Sequence, residues 1–203
     1  CYIVNDYAQL QGDLVQFLSG QRAARKELIG NSKADQTPML FATLSNTQKL
    51  DPTTWHVWMN LMRTFAGSKM VHVHHRGSDE ALPHLRRAAV MHGIGAQDVM
   101  MVGQIPWIDH LYTKTAVDMI LDTGVKNGHT TGLDGLWAGV PTVSFATGIT
   151  MSTRAAQSIQ SSLGVELGLS YSNKDYEDVA RRVLRRKLHR PSTTTTAQAE
   201  ACL

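Results

Sequence analysis

Short apolar runs alternate along this chain with longer amphipathic stretches. "PMLFATLS" (38–45), "KMVHVH" (69–74), "DVMMVG" (98–103), "VDMIL" (117–121) and "PTVSF" (141–145) are too short for buried helices and predict strands. Between them, "LDPTTWHVWMNLMRTFAG" (50–67) predicts a helix. Asp51 can cap it, Pro52 suits its first turn, and Trp55, Trp58, Met59 and Met62 share one face. "DEALPHLRRAAVMHG" (79–93) and "STRAAQSIQSSLG" (152–164) predict helices stopping at Gly93 and Gly164. "IPWIDHLYTKTA" (105–116) predicts a short helix. In "NKDYEDVARRVLRRKL" (173–188) the stripe Tyr176, Val179, Ala180, Val183 and Leu184 predicts the last one.

Strand and helix thus alternate some five times. Fully apolar strands with amphipathic helices between them predict an α/β fold, a doubly wound parallel Rossmann-like sheet covered on both faces. Residues 1–37 read as a lead-in segment or linker, 38–190 as the Rossmann-like domain, and the threonine-rich 191–203 as a disordered tail. No repeat of 34-residue period occurs within the sequence.

In such a sheet, ligands bind beyond the carboxyl ends of the strands. That points to the loops after Leu44, His74, Val102, Leu121 and Phe145. The loop after Leu121 leads into "KNGHTTGLDGLWAGVP" (126–141), polar and glycine-softened at first, then apolar at helical spacing. Gly128 permits a tight turn or close approach. Thr130 and Thr131 stand where a helix begins, and the free amides there suit phosphate oxygens. Asp134, one turn on, can accept from ribose hydroxyls or favour the helix dipole. A plain N-cap role for Thr130 or Thr131 is the local alternative. Lys49, in the loop after the first strand, would face the same crevice and could neutralise a diphosphate leaving group, a plain surface lysine being the alternative. His110, on the short helix, could stack on a base or donate a hydrogen bond, a structural histidine being the alternative.

Other chemistries lack their residues. The chain has 203 residues and a net charge of +3. Residues 181–203 carry six Arg and Lys against Glu200, so residues 1–180 have a net charge of −2. The basic residues form one helix face without interleaved aromatics, which argues against nucleic acid as a partner. No apolar run could span a bilayer, and Cys202 stands second from last, so neither a membrane span nor a prenyl anchor is expected. The only cysteines, Cys1 and Cys202, point to a reducing compartment. His72 and His74 share a strand face but have no acidic or cysteine partner at metal spacing. There is no P-loop, no Asp-x-Asp pair and no activated nucleophile, and "GIGAQD" precedes a strand instead of following one. The opening "CYIVNDY" has no basic-then-apolar leader, and the chain is expected to be a piece of something longer.

Together these positions resemble the C-terminal half of the catalytic region of O-linked N-acetylglucosamine transferases and their SPINDLY-type relatives, glycosyltransferase family 41. The resemblance runs from about Asn5 to Leu184 and is densest in "NGHTTGLDGLWAGVPTVS". "KLDPTTWHVWMNLM", the "P…DH" of the short helix, "DMILDT" and "DYEDVA" follow the family's order, and "VNDY" resembles its lead into this half.

The resemblance implies the nucleotide-sugar-binding half of a GT-B enzyme. Such an enzyme transfers N-acetylglucosamine from UDP-GlcNAc to Ser or Thr of cytoplasmic or nuclear proteins, with inversion and without metal or other cofactor. An N-terminal catalytic half and tetratricopeptide repeats would complete it. By position, Lys49 matches the lysine on the diphosphate and His110 the histidine packed on uracil. His129, Thr130 and Thr131 match the trio holding phosphates and sugar, and Asp134 the ribose carboxylate. Asn46 falls near the phosphates, and Gln104 and Ile105 fall where backbone reads the base. Trp107 stands where many members have a basic or polar residue near the base, Thr113 stands where animal enzymes carry an arginine, and His74 or Arg76 could replace the arginine that ends the family's corresponding strand. Two alternatives follow: a SPINDLY-type GDP-fucose enzyme, or a non-catalytic or decayed nucleotide-sugar-binding module.

Overall fold

The computed structural model describes residues 14–30, 37–73, 78–103 and 112–188. Among these residues six parallel strands form one sheet: β1 (Leu40–Thr43), β2 (Lys69–Val73), β3 (Val99–Val102), β4 (Met119–Leu121), β5 (Thr142–Phe145) and β6 (Leu169–Ser170). Their order is β3-β2-β1-β4-β5-β6. This is the doubly wound order in which the chain reverses its winding between β1 and β4. The register pairs Phe41 with Met70 on one side and with Met119 on the other.

The helices are α1 (Leu14–Ile29), α2 (Pro52–Thr64), α3 (Ser78–Met91), α4 (Thr130–Trp137), α5 (Ala155–Ser162) and α6 (Asn173–Leu188). Asp51 caps α2 by accepting from the Thr53 and Thr54 amides at 2.9 and 3.0 Å. Gly93 and Gly164, just beyond α3 and α5, take φ of 76° and 66°, the left-handed turn that glycine allows at helix ends.

Period-two alternation divides the strands between two cores. Phe41, Met70, Val99, Met119, Leu121 and Val143 face one side. There they meet Trp55, Trp58, Met59 and Met62 of α2 and Tyr176, Val179, Ala180 and Leu184 of α6. Leu40, Ala42, Val71, Val73 and Ile120 face the other side, with Leu28 and Ile29 of α1 packed against them. Both faces are therefore dry, which is why the strands read as unbroken apolar runs.

Two elements escaped the pattern. β6 is two residues long, too short to show a period. α1 lies within the segment read as a lead-in. It is tied down by polar contacts: Arg25 donates to the carbonyl of Ala116 at 2.6 Å and pairs with Asp118 at 3.0 Å, and Gln21 donates to Thr115 at 2.7 Å. Of the short helix expected over 105–116, residues 105–111 lie outside the described residues, and 112–115 are helical.

His72 is buried in the first core with its ring 5.8 Å from Trp55 and 6.5 Å from Trp58, centre to centre. It is a packed core histidine, and His74, its companion on the strand face, lies outside the described residues. Among the described residues no helix is long and apolar enough to cross a membrane.

Candidate functional site

The winding reversal leaves a crevice outside the carboxyl ends of β1 and β4, and the loops that leave those strands build its walls. After β1 the chain makes a short 3-10 turn, Thr47–Lys49. Asn46 starts it: its side-chain oxygen accepts from the Gln48 amide at 3.0 Å, and its carbonyl accepts from the Lys49 amide at 2.9 Å. Asn46 thereby fixes the backbone that carries Lys49. The Lys49 side chain is half-buried, and this desolvation pushes its ammonium pKa below the usual lysine range. The Asp122 carboxylate pulls it back up, and the Lys126 ammonium pushes it further down.

After β4 the loop is held from several sides. Asp122 is buried, and one of its carboxylate oxygens accepts from both the Thr123 amide at 2.9 Å and the Gly128 amide at 2.7 Å. The Thr123 hydroxyl donates to the Lys126 carbonyl at 2.8 Å and lies 3.3 Å from the Ser45 hydroxyl, which links the β4 loop to the β1 loop. Asn127 is fully buried. Its side chain donates to the Thr123 carbonyl at 3.0 Å and accepts from the Ala156 amide at 3.3 Å, joining the loop to α5.

A Cβ on Gly128 would stand 2.9 Å from the Thr131 hydroxyl and 3.3 Å from the Gly132 amide nitrogen. Close approach of the loop to its own helix thus requires glycine. The helix α4 opens at His129, which occupies the N-cap position but makes no side-chain cap bond. Neither Thr130 nor Thr131 is the N-cap. Thr130 is exposed and Thr131 half-buried, both in the first turn. The Nε2 atom of His129 is buried without a protein hydrogen-bond partner. A buried polar atom left so is costly unless a ligand or water meets it.

Asp134 lies one turn along α4, as the spacing predicts, but it is buried and in an ion pair with the buried Lys114. Lys114 was not foreseen, since it comes from the segment before β4, distant in sequence. Asp122 and Asn127 were not foreseen as site residues either. A strand-ending Asp six residues before a Gly was the available signal. Thr113 is buried. Gln104, Ile105, Trp107 and His110 lie outside the described residues, as do His74 and Arg76. The structure thus brings Asn46, Lys49, His129, Thr130, Thr131 and Asp134 to the two loops of the winding reversal.

Burial pushes the Asp122 carboxyl up to about 6, against the pull of its amide and Ser144 hydrogen bonds and of Lys49. Tyr176 of α6 braces the strand ends from below. Its hydroxyl lies 3.1 Å from the Asp122 carbonyl and 3.0 Å from that of Val143, and its ring stacks on Phe145 at 4.5 Å.

A doubly wound sheet with an uncapped helix mouth and a half-buried lysine beside its winding reversal is the arrangement at which α/β domains commonly hold anions. The profile of "Glycosyl transferase family 41" matches residues 14–193, and the chain belongs to that family. It is 28% identical over 181 residues to the probable UDP-N-acetylglucosamine–peptide N-acetylglucosaminyltransferase of Arabidopsis thaliana, a match covering 89% of this chain and 18% of the relative. The corresponding enzyme of Caenorhabditis elegans is 25% identical over 185 residues, covering 86% and 16%. The chain therefore spans less than a fifth of the length of these relatives. Among solved structures, a mutant O-GlcNAc transferase of Thermobaculum terrenum superposes with a TM-score of 0.66 at 26% identity, over 81% of this chain and 34% of that one. The ADP-heptose lipopolysaccharide heptosyltransferase II of E. coli, at 9% identity and a TM-score of 0.55 over 83% of this chain and 52% of that one, shares the fold alone. These matches agree with the expected fold class, the Rossmann-like half of a GT-B glycosyltransferase.

Proposed function

We propose that the chain is the donor-binding half of a protein O-glycosyltransferase and takes UDP-N-acetylglucosamine in the crevice between the β1 and β4 loops. The observation that carries this reading is the uncapped α4 mouth facing that crevice, with the orphaned His129 Nε2 beside it. The diphosphate would lie on the amides and hydroxyls of Thr130 and Thr131, where the helix dipole favours negative charge. Lys49 would neutralise charge as UDP departs, an interaction stronger in the transition state than in the ground state. Asp134 would share a ribose hydroxyl with Lys114. Gln104, Ile105 and His110 are proposed for the base on the family resemblance. Transfer to Ser or Thr of intracellular proteins, with inversion and without metal, would need acceptor groups from another part of the protein.

UDP is preferred to GDP because the relatives named above are N-acetylglucosaminyltransferases. Calorimetric titration of the chain with UDP, UDP-GlcNAc and GDP tests the reading. Binding of the uridine ligands, lost in Lys49→Ala without a fall in melting temperature, is the expected result. Preference for GDP would overturn the donor assignment, and normal transfer by Lys49→Ala in the full-length protein would overturn the role of Lys49.

A further inference from the structure

A second hollow lies at the opposite end of the sheet from the crevice. It encloses about 190 Å³ between α1 and the stretch 115–118 that leads into β4. Gln21, Arg22 and Arg25 line it from α1, and Thr115 to Asp118 line it from the other side. Polar contacts span it, and they use only part of the available donors. Arg25 gives three hydrogen bonds, to the Ala116 carbonyl at 2.6 Å, the Asp118 carboxylate at 3.0 Å and the Pro38 carbonyl at 3.4 Å. Gln21 gives one, to the Thr115 carbonyl at 2.7 Å. A guanidinium carries five N–H groups and a side-chain amide two, so N–H groups of both residues are left without a protein acceptor among the described residues. Arg22 is exposed and makes no ion pair among the described residues.

The charges are as uneven as the donors. Two guanidinium groups line the cavity beside one carboxylate, and Asp118 is already engaged by Arg25 and by the Leu40 amide at 2.9 Å. Spare donors and a surplus positive charge suit a ligand that brings acceptors and negative charge. We propose that this cavity is a second binding site, for a small oxyanion of phosphate size, held by Arg22 and by the spare donors of Arg25 and Gln21. The bound anion ties α1 to the segment before β4, beside the clasp that Arg25 and Asp118 already form. The site is separate from the crevice. Residues 115–118 stand at the amino end of β4, whereas the Lys49 turn and the α4 mouth lie beyond the carboxyl ends of the strands. It does not depend on the donor reading above.

Inorganic phosphate is the probe, titrated into the full chain against sodium chloride of equal ionic strength. Backbone-amide NMR reads residues 20–27 and 115–118 for this site and 128–132 for the α4 mouth, so phosphate bound in the crevice is told apart. Saturable shifts in the first set are expected, with a midpoint of about 1–10 mM, the strength of a few solvent-accessible charge-assisted hydrogen bonds. Arg22→Gln removes an unpaired charge from an exposed position. It should leave the melting temperature in place and weaken the midpoint by about five-fold or more. Arg22→Lys, which keeps the charge but not the fork, should fall between the two. Absence of shifts beyond those of chloride, up to about 50 mM phosphate, would overturn the proposal. So would an unchanged midpoint in Arg22→Gln, or saturable shifts confined to residues 128–132.

Discussion

Burial makes the Asp122 carboxylate a cost to the fold, so the chain should be more stable without that charge. Its carboxyl moves from 3.8 to about 6 on folding, chiefly because burial disfavours the anion. Each pKa unit is worth about 1.4 kcal/mol, so the ionised group costs about 3 kcal/mol of stability at neutral pH. The sign follows from proton binding. Between pH 3.8 and 6 the folded chain holds a proton that the unfolded chain has released, so this group's contribution is full below 3.8 and is lost as pH rises through 6. Asp122→Asn is neutral at every pH and retains the acceptor for the Thr123 and Gly128 amides. Urea unfolding should therefore show the variant more stable than wild type by up to about 3 kcal/mol at pH 8, with the gap closing toward pH 4. A variant less stable than wild type at pH 8, or a gap independent of pH, would refute the reasoning.

His72 gives the opposite slope. Burial between Trp55 and Trp58 holds its pKa down at about 4, so below pH 6.5 the unfolded chain takes up a proton that the folded chain refuses. Stability from this group is full above 6.5 and falls toward pH 4; His72→Leu should flatten that fall, as read from urea midpoints at pH 5 and 7.5. Tyr176→Phe removes the hydroxyl that reaches the Asp122 and Val143 carbonyls while keeping the stack on Phe145. It should cost about 1 kcal/mol in the same assay, and a cost near zero would show the brace to be idle.

Much of the fold was legible because its signals are local. The five apolar runs each became a strand, and the Asp51-Pro52 start and the Gly93 and Gly164 stops fell where the sequence put them. Such features depend on side-chain volume, periodicity and capping within a few residues, which a linear reading can weigh. The helix mouth at His129–Thr131 was legible for the same reason, since glycine, small polar residues and then an apolar stripe describe it without reference to the rest of the chain. β6 and α1 were not, the one being too short for a period and the other being held by Arg25 and Gln21 through contacts about ninety residues away.

What the sequence by itself determined is therefore the inventory: a parallel sheet covered on both faces, a glycine-softened loop opening a helix, and a lysine after the first strand. Tertiary structure decided which of these residues meet. Only the order β3-β2-β1-β4-β5-β6 sets the Lys49 turn beside the loop after β4, and only burial pushes the Asp122 carboxyl up to about 6. The same packing gave Asp134 the partner Lys114 and left His129 Nε2 without one. Desolvation and through-space charge depend on neighbours that the sheet order supplies, and spacing along the chain carries no record of them.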